Sequence, residues 1–200
     1  AVIKTRLTSF GSHQDFSTAE SLYPLFGDTA INYVDPRVVS AEMSPYLTGY
    51  EPWLFDRAMT LYQLAFRSGN LLFLREAHRA SQFYANHISA TGAFDLKPDG
   101  DDLKYVYGEC VAANYWLTGD DRLPAVLQRM IPQFDSFKVV YTLTTNFWTE
   151  RHAAYKLLGY VTAYELLGDP AVGQKAKDTF TVLVTMQNNP VSGAPNTGGL

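Results

Sequence analysis

Between residues 51 and 187, apolar positions recur at helical spacing in six blocks, and the blocks alternate in kind. Three of them, over 51–69, 101–119 and 150–168, are apolar around most of their circumference, the pattern of helices buried on several sides. Each is followed by a block that separates into a polar and an apolar face, over about 71–87, 122–131 and 171–187. The last shows this most plainly, with Lys175, Lys177 and Asp178 set against Val172, Ala176, Phe180 and Leu183. The pattern therefore predicts buried inner helices alternating with surface-lying outer ones.

The joints between the blocks repeat as well. Gly69, Gly119 and Gly168 are spaced by 50 and 49 residues, and each follows an apolar run. A glycine there takes the left-handed conformation that ends a helix, and the next residue, Asn70, Asp120 or Asp169, is a good N-cap for the following one. Pro170 then takes a first helical position, where its missing N–H costs nothing. The expected fold is all-α: three consecutive helical hairpins side by side, forming part of an α/α toroid, an incomplete (α/α)6-like barrel. Three inner helices begin with an acid, Glu51, Asp101 and Glu150, which the helix dipole favours without any catalytic role.

Long connections from Ser89 and from Asp135 carry the chain from each outer helix back to the next inner one, so both are expected on the rim where inner helices begin. Residues 1–48 read as an extended or linker segment, with strand-like alternation over 2–8; residues 49–187 form the three-hairpin domain; residues 188–200 occupy the place of a truncated rim loop or tail. Three hairpins of an open arc leave an apolar flank, so a homodimer, or contact with the remainder of a longer parent chain, is expected to cover it.

Composition narrows the classes. At 46% hydrophobic and 18% charged the chain builds an ordinary core, which argues against disorder. The net charge is −4, and its Lys and Arg residues form no run, so nucleic acid is not an expected partner. No apolar run reaches the roughly 18 residues of a membrane span, and AVIKTRLTSF does not read as a signal peptide. The compartment stays open between secreted, periplasmic and cytoplasmic. Cys110, the sole cysteine, excludes an internal disulfide and a thiolate zinc cluster, and its apolar surroundings suit an inert core thiol. With no HExxH pair, glycine-rich phosphate loop or GxSxG elbow, no metal and no cofactor is expected. The aromatic share of 14%, much of it at loops and helix starts, suits stacking on sugar rings as well as gap-filling between helices.

Alignment of the three inner blocks exposes positions that are polar in one repeat and apolar in the others, where a core-facing polar group needs a reason. His152 stands opposite Trp53 and Leu103, Glu109 opposite Met59 and Leu158, Asp56 opposite Val106 and Tyr155, and Glu165 opposite Phe66 and Trp116. Glu165 lies at the far end and reads as structural. NFWTERHAAY, over 146–155, is the densest polar and aromatic cluster, with His152 and Tyr155 on one helical face. The candidate catalytic residues are Glu150, His152, Asp56, Glu109, Glu51 and Tyr155. The candidate substrate-binding residues are Trp53, Tyr105, Tyr107, Trp148, Arg151 and Asn146.

YGECVAANYWLTGDDRLPAVLQRM and ERHAAYKLLGYVTAYELLGDPAVGQKAKDTF resemble hairpins of the six-hairpin glycosidases, whose catalytic carboxylates lie on the rim of an α/α toroid. The resemblance covers about residues 50–187 and rests on Ala, Tyr, Leu and Gly-Asp turns. It implies a carbohydrate-active enzyme, a glycoside hydrolase with an acid and base drawn from Glu51, Asp56, Glu109 and Glu150. NFWTERHAAY also looks like the Asn-Asn-His-x-x-x-Tyr neighbourhood of toroidal alginate and heparin lyases, which implies Asn146, His152 and Tyr155; here Asn146 stands six residues before His152. In that alternative a polysaccharide lyase uses His152 or Tyr155 to abstract a proton beside a uronic carboxylate that Arg151 helps neutralise. A non-catalytic helical-repeat scaffold is the third reading. The carbohydrate substrate is the partner implied by the first two.

Overall fold

The computed structural model describes Trp53 and residues 56–97, 103–136 and 149–188; side chains at 149–151 and 186–188 are not described. Six α-helices carry the described chain: α1 (Arg57–Ser68), α2 (Leu71–Asn86), α3 (Gly108–Thr118), α4 (Leu123–Ser136), α5 (Thr149–Leu167) and α6 (Pro170–Asn188), with a 3-10 turn at Leu103–Tyr105 before α3. The strand-like segment over 2–8, the linker over 1–48 and nearly all of the tail over 188–200 lie outside the described residues.

The three hairpin joints form as their sequence predicts. Gly69, Gly119 and Gly168 sit at φ +71°, +70° and +67°, and each donates its N–H to the carbonyl four residues back, on Ala65, Tyr115 and Tyr164. A Cβ at any of the three would meet nothing within 4 Å, so these positions require glycine for the backbone conformation and not for space. Asn70 accepts from the Leu72 N–H, Asp120 from the Arg122 N–H and Asp169 from the Ala171 N–H, and Pro170 opens α6.

Helix packing follows the chain. Helices α1 and α2, α3 and α4, and α5 and α6 pair as hairpins; α1 then packs on α3, and α3 on α5. Two outer helices also reach forward, α2 onto α3 and α4 onto α5. The core is continuous through these contacts, with Tyr62, Tyr84, Val111, Leu127, Met130 and Phe134 closed to solvent. Glycine permits the closest approaches: a Cβ at Gly159 of α5 would lie 2.6 Å from the Phe134 ring of α4, and one at Gly108 would lie 2.9 Å from Leu127.

Three expectations need correction. Helices over 51–69 and 101–119 start later than their acids suggest, at Arg57 and Gly108, whereas α5 does run the full length from Thr149. Trp53, Leu103, Tyr105 and Val106 are buried, so they supply apolar positions at helical spacing while lying ahead of the helices, with Leu103 and Tyr105 in the 3-10 turn. Outer helix α4 passes through Pro132 and continues to Ser136, beyond the expected end at 131. The rim connection after α2 is also more constrained than a free loop, since Ile88 and Phe94 form an antiparallel bridge and Gln133 of α4 donates to the Thr91 carbonyl, 2.9 Å.

Candidate active site

Helices α1 and α5 flank a cavity of about 230 Å³ whose end wall is the segment entering α3. Asp56, Met59, Thr60 and Gln63 face it from α1 and its cap, Val106 to Glu109 from the approach to α3, and Tyr155, Leu158 and Gly159 from α5.

Asp56 is the N-cap of α1, with Oδ1 accepting the Met59 N–H at 2.9 Å. Its φ of 41° makes it the only described non-glycine residue with a left-handed backbone, a conformation that aspartate tolerates at a cost of roughly 1–2 kcal/mol. The residue as a whole is half-buried, yet Oδ2 is closed to solvent. Burial pushes the Asp56 carboxyl up to about 7; the Met59 N–H works against that rise, the negative charge of Glu109 adds to it, and the neighbouring Cys110 N–H and thiol oppose it. Asp56 thus holds a proton near neutral pH on the wall of a cavity, and a strained residue there fits a functional position.

Glu109 stands in the first turn of α3, where the helix dipole favours an anion. The entry to that helix is unusual. Its N-cap, Tyr107, makes no side-chain capping bond. The approach is held from α2 instead, by the Tyr84 hydroxyl, which donates to the Tyr105 carbonyl at 2.8 Å and accepts the Tyr107 N–H at 2.6 Å. Across the cavity, the rings of Tyr107 and Tyr155 meet edge to face at 5.7 Å.

Of the residues singled out from the sequence, the fold brings Asp56, Glu109, Tyr107 and Tyr155 to one cavity. Others lie elsewhere. Trp53 is 1% exposed and stacks on Phe83 at 5.2 Å, within reach of Tyr84 and Phe94, so it is a core residue away from the cavity wall. Tyr105 is buried beneath Lys97 and contributes its carbonyl to the Tyr84 bond. His152 is half-buried one turn before Tyr155 and does not line the cavity. Glu150 and Arg151 lie in the first turn of α5 with side chains outside the described residues, and Glu51, Asn146 and Trp148 lie outside them altogether.

Sequence reasoning missed Thr60 and Gln63. With Asp56 they follow at i, i+4 and i+7, a polar line along a helix otherwise apolar toward the core, and that spacing was the available signal.

Among the described residues no Lys, Arg or His lines the cavity, and no group of His, Cys, Asp and Glu is arranged to hold a metal ion. Cys110 is buried, and burial followed by the Asp56 charge pushes its thiol well above the ordinary range, so it is not a nucleophile at neutral pH. No described helix is long and apolar enough to cross a membrane. Comparison with known proteins gave no match to a family model, a curated protein or a solved structure.

Proposed function

We propose that the chain is part of an α/α toroid that cleaves carbohydrate, with Asp56 and Glu109 as the working carboxylates of a glycoside hydrolase. One observation carries the reading: two acidic residues from separate elements line a single cavity, and burial raises the carboxyl of one of them to about 7. A hydrolase of this kind needs an acid that is still protonated when its partner is ionised, because the leaving oxygen must receive a proton while the opposite face of the ring receives the base or nucleophile. Asp56 suits the acid, and Glu109 suits the partner. Thr60 and Gln63 offer hydroxyl and amide groups to sugar hydroxyls, and the Tyr107 and Tyr155 rings offer apolar faces to a ring carbon skeleton. The forward packing of α2 on α3 and of α4 on α5 is the contact order that stacks hairpins around an axis, which supports the toroid.

Elimination from a uronic-acid polymer is the second reading, favoured by Tyr155 on the cavity wall as a possible base. It is the weaker, because the described lining holds two acids and no cation to neutralise a uronic carboxylate.

The test incubates the chain with neutral glucans and, separately, with uronic-acid polymers, following reducing ends and the absorbance of an unsaturated product. Reducing ends without the chromophore, lost in Glu109→Gln and in Asp56→Asn, are expected. The chromophore would replace hydrolysis by elimination, and neither signal would leave the helical scaffold as the reading.

A further inference from the structure

The geometry points to Tyr84, on an outer helix and away from the cavity, as the positioning residue that sets where Glu109 and Tyr107 stand relative to Asp56. The inference rests on the carboxylate-pair reading for its catalytic meaning, though not for its geometry.

Tyr84 is 1% exposed and anchored in the aromatic core, with ring centroids 5.1 Å from Phe94, 6.0 Å from Tyr107 and 6.1 Å from Trp53. Its single hydroxyl serves two main-chain groups on either side of Val106, giving its proton to the Tyr105 carbonyl and a lone pair to the Tyr107 N–H. A phenol that donates and accepts at once fixes both the direction of the chain and its distance from α2. The bracketed stretch is the one that must leave the 3-10 turn, run extended through Tyr107 and turn into α3 at Gly108, one residue before Glu109. Nothing in that stretch caps the helix with a side chain of its own, since Tyr107 makes no capping bond. A second contact from α2 supports the same turn, where the Ser81 hydroxyl donates to the Cys110 carbonyl at 2.9 Å. Burial holds the Tyr84 hydroxyl neutral far beyond physiological pH, so its proton remains available for the Tyr105 bond whatever the state of the carboxylates.

Tyr84 touches neither the cavity nor any group that would react, so its effect passes through Tyr107 and Glu109. Tyr84→Phe removes one oxygen and keeps the ring in its aromatic packing. The entry to α3 is then free to shift, and the electrostatic coupling between Glu109 and Asp56, which depends on their separation, weakens with it.

Carboxyl-carbon NMR titration of Asp56 in the wild type, Glu109→Gln, Tyr84→Phe and the double variant reads this coupling directly. Loss of the Glu109 charge is expected to lower the Asp56 pKa in the wild-type background. In the Tyr84→Phe background less than half of that response should remain. An equal response in both backgrounds, with Tyr84→Phe melting cooperatively, overturns the inference. Should Tyr84→Phe fail to fold, amide exchange at Tyr107 in the wild type decides: protection as strong as in the interior of α3 upholds the bracket, and exchange at the rate of an open loop overturns it. If the chain hydrolyses a glycan, Tyr84→Phe should lower kcat about tenfold or more and move the basic limb of the pH profile while KM stays near the wild-type value. A chain with no hydrolytic activity but intact coupling loss in Tyr84→Phe would defeat the hydrolase reading and leave the positioning role standing.

Discussion

The two ends of the inner helices obey different rules. At the hairpin end all three repeats converge, with glycines within 4° of one another in φ, equivalent hydrogen bonds and a capping Asn or Asp after each. At the opposite end no two repeats agree. Helix α1 starts at a strained aspartate, α3 starts at Gly108 after a 3-10 turn and an extended Tyr107 held by Tyr84, and α5 starts at Thr149. A turn that only reverses the chain has one inexpensive solution, and repetition preserves it. An end that has to build a cavity wall cannot repeat itself, because three identical walls would not make one site.

The sharpest way to break that contrast is at the divergent end. On the proposed hydrolase reading, Glu109→Gln is expected to reduce turnover by about 10² to 10⁴, the usual contribution of a positioned acid or base, with the far-ultraviolet helix signal unchanged. Retained turnover would make the cavity end structural, like the hairpin end.

Asp56→Asn comes next. Asparagine keeps the N-cap and accepts positive φ, so the variant isolates the charge. The folded-state pKa of Asp56 is raised from 3.8 to about 7, so the folded protein holds the proton more tightly than the unfolded chain. Its contribution is fully present below about pH 4 and is lost as pH rises to about 7. Asp56→Asn should erase that slope and be more stable relative to the wild type at pH 8 than at pH 4, by on the order of 2–4 kcal/mol across the window. Glu76, which burial raises to about 7 against the opposing charge of Arg79, slopes the same way in both proteins and cancels in the difference. Parallel urea-stability curves from pH 4 to pH 8 would contradict the assignment of the proton to Asp56.

The two kinds of glycine separate the ends more finely. Gly159→Ala should cost about 1–3 kcal/mol, because its Cβ would press on the Phe134 ring and push α4 from α5. Gly119→Ala, with open space around it, should cost only the left-handed strain of about 1 kcal/mol. Equal losses in thermal melts would mean that the two positions are not constrained by different causes.

The smallest effect is expected far from either end. Lys175 lies 2.7 Å and 2.8 Å from the Asp135 oxygens, but both side chains are about two-fifths exposed. Lys175→Met should change stability by less than about 1 kcal/mol, and less again in high salt.

The hairpin ends were legible in the sequence because glycine followed by a capping residue is a local demand, satisfied by two or three neighbours. The outer helices were legible for the same reason, through their two-faced pattern. The starts of α1 and α3 were not. Trp53, Leu103, Tyr105 and Val106 are buried by residues distant in sequence, and burial alone makes them look like helical core positions. That misreading shifted the comparison behind His152, since its counterparts Trp53 and Leu103 precede their helices and are not equivalent to a residue inside one. The same shift affects Asp56, whose counterpart Val106 also precedes its helix, whereas Glu109, Met59 and Leu158 all lie inside theirs. The Tyr84 bracket left no trace in sequence; a buried tyrosine on an amphipathic helix looks like any other core aromatic.

The forward packing of each hairpin on the next also sets an order of assembly. Most contacts join neighbours in sequence, α1 with α2, α2 with α3, and onward to α6, so little loop closure has to precede each gain and folding is expected to be fast and to run along the chain. A hairpin emerging during synthesis meets a partner already formed. The cavity is the exception, because its walls belong to α1 and α5, the first and third inner helices. It closes only when the third hairpin docks, so the cavity is among the last features of the molecule to exist.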